Sequence, residues 1–181
     1  TLCSDRKAFL FCFYIGGKSL VIGILSLIVA LVGVDQLFKY LVITYLEPVG
    51  SIPLIKNVFH LTYVENYGAA GGILQGKQAL LIIVTTIVIL ALFILLILKK
   101  FPGRFFPWMV GLVVAGGIGN LCDRIFRGFV VDYLDFCWIH YPVFNFADCC
   151  VVVGVLFIAV IILRSEQKTK KSKADTQKGD G

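Results

Sequence analysis

Four apolar runs dominate this 181-residue chain, at 19–45, 78–98, 105–121 and 143–163. Each is close to the roughly 20 residues that an α-helix needs to cross a hydrocarbon layer about 30 Å thick. Lipid offers no water to satisfy backbone N–H and C=O groups, so runs of this length are expected to fold as helices. The chain is 59% hydrophobic, against roughly 45–50% for a soluble domain, which leaves little room for a separate soluble unit. The expected fold is an all-α membrane protein. Residues 1–163 form a single membrane-embedded domain, a four-helix bundle with a small extracytoplasmic β-containing segment. The first run is an uncleaved anchor, too long for a signal peptide and followed by Asp35-Gln36-Leu37-Phe38-Lys39 without a small-residue cleavage pattern. Residues 164–181, where Lys168, Lys170, Lys171 and Lys173 alternate with polar residues, read as a basic, disordered, solvated tail.

Charge then sets the orientation. If the spans alternate, Arg6, Lys7, Lys18, the Lys99-Lys100-Arg104 loop and the tail all lie on one side, which the positive-inside rule makes the cytoplasm. Both ends of the chain are expected there, and segments 46–77 and 122–142 face outward. In the first of these, Phe59, Leu61 and Tyr63 alternate with His60 and Thr62, the period of a half-buried strand. The third run carries Gly111, Ala115, Gly116 and Gly119, a spacing that lets helices approach closely and places this span centrally in the bundle. Six cysteines show no CxxC spacing and only His60 and His140 are available beside them, so no zinc site is expected. Cys122 and Cys137, both on the outward side, are a candidate disulfide, whereas Cys149 and Cys150 read as small hydrophobes in a span.

Polar residues gather in four clusters: Asp35-Gln36 with Lys39; Asn66 to Ala70; Asn120 with Asp123, Arg124 and Asp132; and Asn145 with Asp148. On the topology above, all four converge at the outward end. An Asp at a helix centre in lipid costs about 2.5–3.5 kcal/mol on the insertion scale, so such residues mark a candidate active site or ion path. Asn120 and Asp123 share one helical face, as do Asn145 and Asp148. Two carboxylates brought close together cannot both ionise cheaply. One keeps a proton and acts as acid while the other deprotonates a water, the logic of aspartic peptidases. Asp123 and Asp132 compete to partner Asp148. Asp123 is followed by Arg124, which favours an ion pair, so Asp132 is the better candidate. Asp35 and Lys39, at i,i+4 spacing, also read as an ion pair. Asn66, Asn120 and Asn145 are expected to cap or join helices, or to hold a substrate backbone.

Two other classes compete. A proton-coupled transporter would relay protons through its carboxylates, but it calls for acidic residues deep in several spans, and the second span has none. A purely structural protein would use the clusters as glue between helices. Among proteases, the chain lacks His-Glu-x-x-His, Gly-x-Ser-x-Gly and Gly-x-Gly-Asp.

The motifs Asp35-Gln36-Leu37-Phe38-Lys39, Asn66-Tyr67-Gly68-Ala69-Ala70, Gly119-Asn120-Leu121-Cys122-Asp123-Arg124, Gly128-Phe129-Val130-Val131-Asp132 and Phe144-Asn145-Phe146-Ala147-Asp148, with Gly154 beyond, follow one another in this order. In that order the chain resembles the lipoprotein signal peptidases, or signal peptidases II, membrane aspartic peptidases of bacteria. The resemblance implies a catalytic pair, Asp132 and Asp148, and a supporting set of Asp35, Lys39, Asn66, Gly68, Asn120, Asp123, Arg124 and Asn145. It implies hydrolysis before the diacylglyceryl-modified cysteine of a prolipoprotein in the bacterial inner membrane. Lipidated precursors and membrane lipids are the implied partners, with no nucleic acid, no metal, no organic cofactor and a monomeric chain. The family usually has an aromatic residue after Ala69-Ala70, where this chain has Gly71-Gly72. With Gly68 and Gly76, these glycines suggest that the segment around 59–76 lies over the site and moves with substrate entry.

Overall fold

The computed structural model describes residues 2–69, 74–98, 101–139 and 141–179, with side chains over 19–69, 74–98, 101–139 and 141–168. Helix α1 (Leu2–Leu41) widens into a π-helical turn at Val42–Leu46, where the Glu47 N–H reaches back to the Val42 carbonyl at 3.0 Å. Pro48, with no N–H to give and a ring that clashes with the preceding turn, ends it. The chain then runs through strands β1 (Ser51–Ile55) and β2 (Phe59–Asn66), helices α2 (Gln78–Leu98) and α3 (Phe106–Phe126), strand β3 (Val130–Asp135), a 3₁₀ turn at Cys137–Ile139, and helix α4 (Phe146–Gly179). Among the described residues, four stretches are long and apolar enough to cross a membrane: Ser19–Leu46, Gln78–Leu98, Phe106–Phe126 and Phe146–Lys168.

Helix α3 is the centre of the bundle and touches each of the other three spans. Its small residues explain why. A Cβ added at Gly116 would collide with the Ala147 carbonyl and Val151 of α4, and one added at Gly119 would lie 2.5 Å from Asp35 Oδ2. Gly154 of α4 answers from the other side, packed on the Met109 carbonyl and Val113. Without a hydrophobic drive between helices in lipid, this close approach is what holds spans together. Val110, Val114 and Ala115 of α3 form the buried core with Ile24 and Ile28 of α1 and Ile89 and Leu96 of α2. Most of the remaining apolar surface of α1, α2 and α4 points away from the protein.

At one end of the bundle the three strands form an antiparallel sheet in the order β1-β2-β3. Gly128, at φ +85°, stops α3 in the left-handed conformation that glycine tolerates best, its N–H bonding the Asp123 carbonyl at 3.2 Å. This turn feeds the chain directly into β3. Phe144 then pairs with Leu134, so the segment entering α4 is laid alongside β3.

Two expectations need correction. Residues from Arg164 onward, expected to be disordered, continue α4 to Gly179. Lys, Glu, Gln and Ala are good helix formers, and a helix already nucleated in the span extends without a new nucleation cost. Cys122 and Cys137 are both free thiols. His140 and the Ala70 to Ile73 stretch, with Gly71-Gly72, lie outside the described residues.

Candidate active site

The polar residues singled out in the sequence meet at the sheet end of the bundle, where α1, α3, β2, β3 and the start of α4 come together. Asp132 is the third residue of β3, only 2% exposed, and faces Val64 in the β2 register. Asn66, at the end of β2, donates its side-chain N–H to Asp132 Oδ2 at 2.8 Å, and Asn145 donates to Asp132 Oδ1 at 2.6 Å. Amides therefore hold both oxygens of this buried carboxylate.

Asn145 caps α4. Its Oδ1 accepts from the Asp148 N–H at 3.0 Å, and Asp148 Oδ2 accepts in turn from the Asn145 N–H at 3.2 Å. This is a reciprocal capping box, and it satisfies donors that a helix start would otherwise leave unpaired. The three-residue spacing read from the sequence thus has a local cause. Asn120 on α3 closes the circuit, donating to Asp148 Oδ1 at 2.7 Å and accepting from Asn145 Nδ2 at 3.1 Å. Asp132 and Asp148 are thereby joined through two asparagines, with Asp132 buried and Asp148 half-buried.

A second cluster lies beneath. Lys39 of α1 is wholly buried, its Nζ 3.0 Å from Asp35, 2.8 Å from Asp123 and 2.9 Å from Asn120 Oδ1. The expected Asp35–Lys39 pair is present, and the expected Asp123–Arg124 pair is not. Asp123 instead pairs with Lys39 and Arg127. Neighbouring side chains on a helix diverge, whereas Asp123 and Arg127 at i,i+4 share a face. Arg124 donates to the Gly68 carbonyl at 3.1 Å, and the Gly68 N–H is held by Asn66 Oδ1 at 2.9 Å. Together these bonds fix the chain just past β2. Asp123 also accepts the Val131 N–H at 3.1 Å, anchoring β3 beside Asp132, while Asp35 accepts the Ala147 N–H at 3.1 Å in the first turn of α4. Sequence reasoning missed Arg127, which the i,i+4 spacing from Asp123 could have found. It also missed Gln36 as a bridge to Asp123 at 3.2 Å, and Gln78, which bonds the Arg124 carbonyl at 2.9 Å.

Burial pushes the Asp132 carboxyl up to about 6, and the negative charge of Asp148 adds to the rise. The bonds from Asn66 and Asn145, and the charge of Lys39, oppose it without cancelling it. Among the described residues neither Asp132 nor Asp148 takes part in an ion pair. A coupled carboxylate pair of this kind can hold one proton between its members and act on a water and a carbonyl together.

Comparison with known proteins shows the family of the chain. Residues 27–164 match the family model described as signal peptidase (SPase) II. The chain is similar to the lipoprotein signal peptidase of Clostridioides difficile (strain 630), 46% identical over 146 residues, covering 80% of this chain and 97% of that one. It is also 42% identical over 153 residues to the lipoprotein signal peptidase of Clostridium acetobutylicum, covering 81% and 99% of the two chains. Among solved structures it resembles a bacterial membrane enzyme determined by the in meso method at 2.3 Å, with a TM-score of 0.74 and 32% identity over 81% of this chain and 90% of the other. A second such enzyme, at 1.9 Å, gives a TM-score of 0.70 and 34% identity over 78% and 92%.

Proposed function

This chain belongs to the signal peptidase II family, and from that premise we propose that Asp132 and Asp148 form its catalytic pair, cleaving prolipoproteins before the lipidated cysteine. The observation that carries the assignment is the asparagine bridge. Asn145 bonds Asp132 with its amide and caps the helix turn that holds Asp148, so the two acids address one space.

In this reading Asp132, whose carboxyl is pushed up to about 6, carries the shared proton and donates it towards the scissile carbonyl oxygen. Asp148 takes a proton from the attacking water, and the tetrahedral intermediate collapses as the leaving amine is protonated. The N–H groups of Asn66, Asn120 and Asn145 keep the carboxylate oxygens fixed through the cycle. Asp35, Lys39 and Asp123 hold α1, α3, β3 and α4 at the spacing this requires. Arg124 and Gly68 set the edge where the substrate backbone would pass.

The sheet end is taken to face the extracytoplasmic side. In the sequence, basic residues fall at 6–18, 99–104 and 164–178, the segments that alternating spans would put opposite the sheet, and the positive-inside rule assigns such segments to the cytoplasm. The signal helix and acyl chains of a precursor could then remain in lipid while the scissile bond meets water at the interface.

The test is cleavage of a diacylglyceryl-modified precursor by the purified chain, with the new N-terminus identified by mass. The expected product begins at the lipidated cysteine, and the unlipidated precursor is cut poorly. Turnover by Asp132→Asn equal to that of the unaltered chain would defeat the assignment.

A further inference from the structure

We propose that His60, Asp135 and Cys137 form a transition-metal site of the zinc class on the sheet, separate from the aspartate pair. Each offers one ligand atom, and the three atoms lie within 4.8 Å of one another. The fold brings them together by register. His60 on β2 stands opposite Asp135 on β3, and Cys137 opens the 3₁₀ turn two residues later, with its Sγ 3.8 Å from the Asp135 carbonyl.

Three observations favour a ligand. His60 Nε2 is buried with no hydrogen-bond partner, an uncommon state for a ring nitrogen in a folded protein. The Cys137 thiol is free. Asp135 is already oriented from behind, since Thr62 Oγ1 donates to its Oδ2 at 2.8 Å and Ser51 lies 2.9 Å beyond in the same chain. Outer partners of this kind are the usual support of a metal-bound carboxylate.

The donor set narrows the ion. Imidazole, thiolate and carboxylate together suit zinc, whose bonds of about 2.0–2.3 Å place tetrahedral ligands roughly 3.3–3.8 Å apart. Small side-chain rotations would close the present spacing to that range. Three protein ligands leave a fourth position for water, and all three residues are half-buried, which keeps a route open from solvent. A metal here would staple β2 to the end of β3, three residues from Asp132, and to the turn that follows. Sequence spacing gives no hint of it, because His60 is far along the chain from Asp135 and Cys137.

The test uses the full chain, purified in detergent and stripped with chelator, then titrated with zinc chloride and, separately, cobalt chloride. One zinc per chain is expected, with affinity falling at least tenfold in His60→Gln and in Cys137→Ser. Cobalt should give a thiolate-to-metal charge-transfer band in the unaltered chain that vanishes in Cys137→Ser. Asp132→Asn should keep the metal. Failure of the unaltered chain to take up stoichiometric zinc or to show the cobalt band would overturn the site. So would full binding by both ligand variants, or loss of zinc in Asp132→Asn while Cys137→Ser retains it.

Discussion

Two groups of carboxylates lie one above the other in this protein, and they are handled in opposite ways. Asp35 and Asp123 are matched by Lys39 and Arg127, two anions against two cations. Asp132 and Asp148 face each other through amides, with no ion pair of their own among the described residues. Burial is similar for Asp35, Asp123 and Asp132, at 1%, 0% and 2% exposure, so depth does not separate Asp132 from the lower group. The partners do. A carboxylate paired with a cation has its charge balanced in place, whereas Asp132, held by neutral amides beside a second carboxylate, keeps a proton within reach. On the proposed assignment, the lower group holds helices and the upper one moves protons.

That contrast can be broken by experiment. Asp132→Asn and Asp148→Asn should each lower turnover by about 10³-fold or more, the upper part of the usual range for lost acid–base action. Thermal stability in detergent should fall by only about 1–3 kcal/mol, the cost of one N–H donor left facing an amide NH2; a larger fall would show that the upper group is structural. Lys39→Met should do the reverse, costing about 3–5 kcal/mol of stability by leaving two buried carboxylates with too few cations. Activity lost with Lys39→Met should track the folded fraction, and a fully stable, inactive variant would contradict the division of labour.

Smaller effects sharpen it. Asn145→Ala removes both the helix cap and the bond to Asp132. It should cost about 1 kcal/mol of stability and lower kcat about 10²-fold, with little change in KM, since it displaces a reacting group. The pH profile gives the finest discrimination. Asp132 has its folded value raised from 3.8 to about 6. The protonated form is therefore favoured in the native state, and the stability this group contributes is fully present below about 3.8 and lost as pH rises through about 6. If that proton is required, kcat/KM falls about tenfold per pH unit above this range. Arg127→Gln, which alters only the lower group, should leave the limb in place; its displacement by a full unit would show that the groups titrate together.

Much of this fold could be read from the sequence because run length in lipid has few structural outcomes. The ends of the helices could not. Cys122 to Phe126 look too polar for a span, yet they remain helical because Asp123 finds Lys39 and Arg127 inside the protein. Val143 and Phe144 are apolar enough to extend α4, yet Phe144 is extended and paired with Leu134. Only part of β2 announced itself through alternation. Strand β1 contains Pro53 and is exposed along its length, so it carries neither the pattern nor the composition of a strand. The site residues were legible as motifs, and the Asp35–Lys39 pair with them, but the partners of Asp123 were not. Which cation meets Asp123 depends on where α1 crosses α3, and no local spacing encodes that crossing.

The cap on α4 has a bearing on how the site is completed. Asn145 and Asp148 follow Asp132 in the chain, and the bond from Asn145 to Asp132 forms only where α4 is seated against α3. On the proposed assignment, a chain whose α4 has not yet docked carries half a dyad, so the step that packs this helix is also the step that switches the protease on.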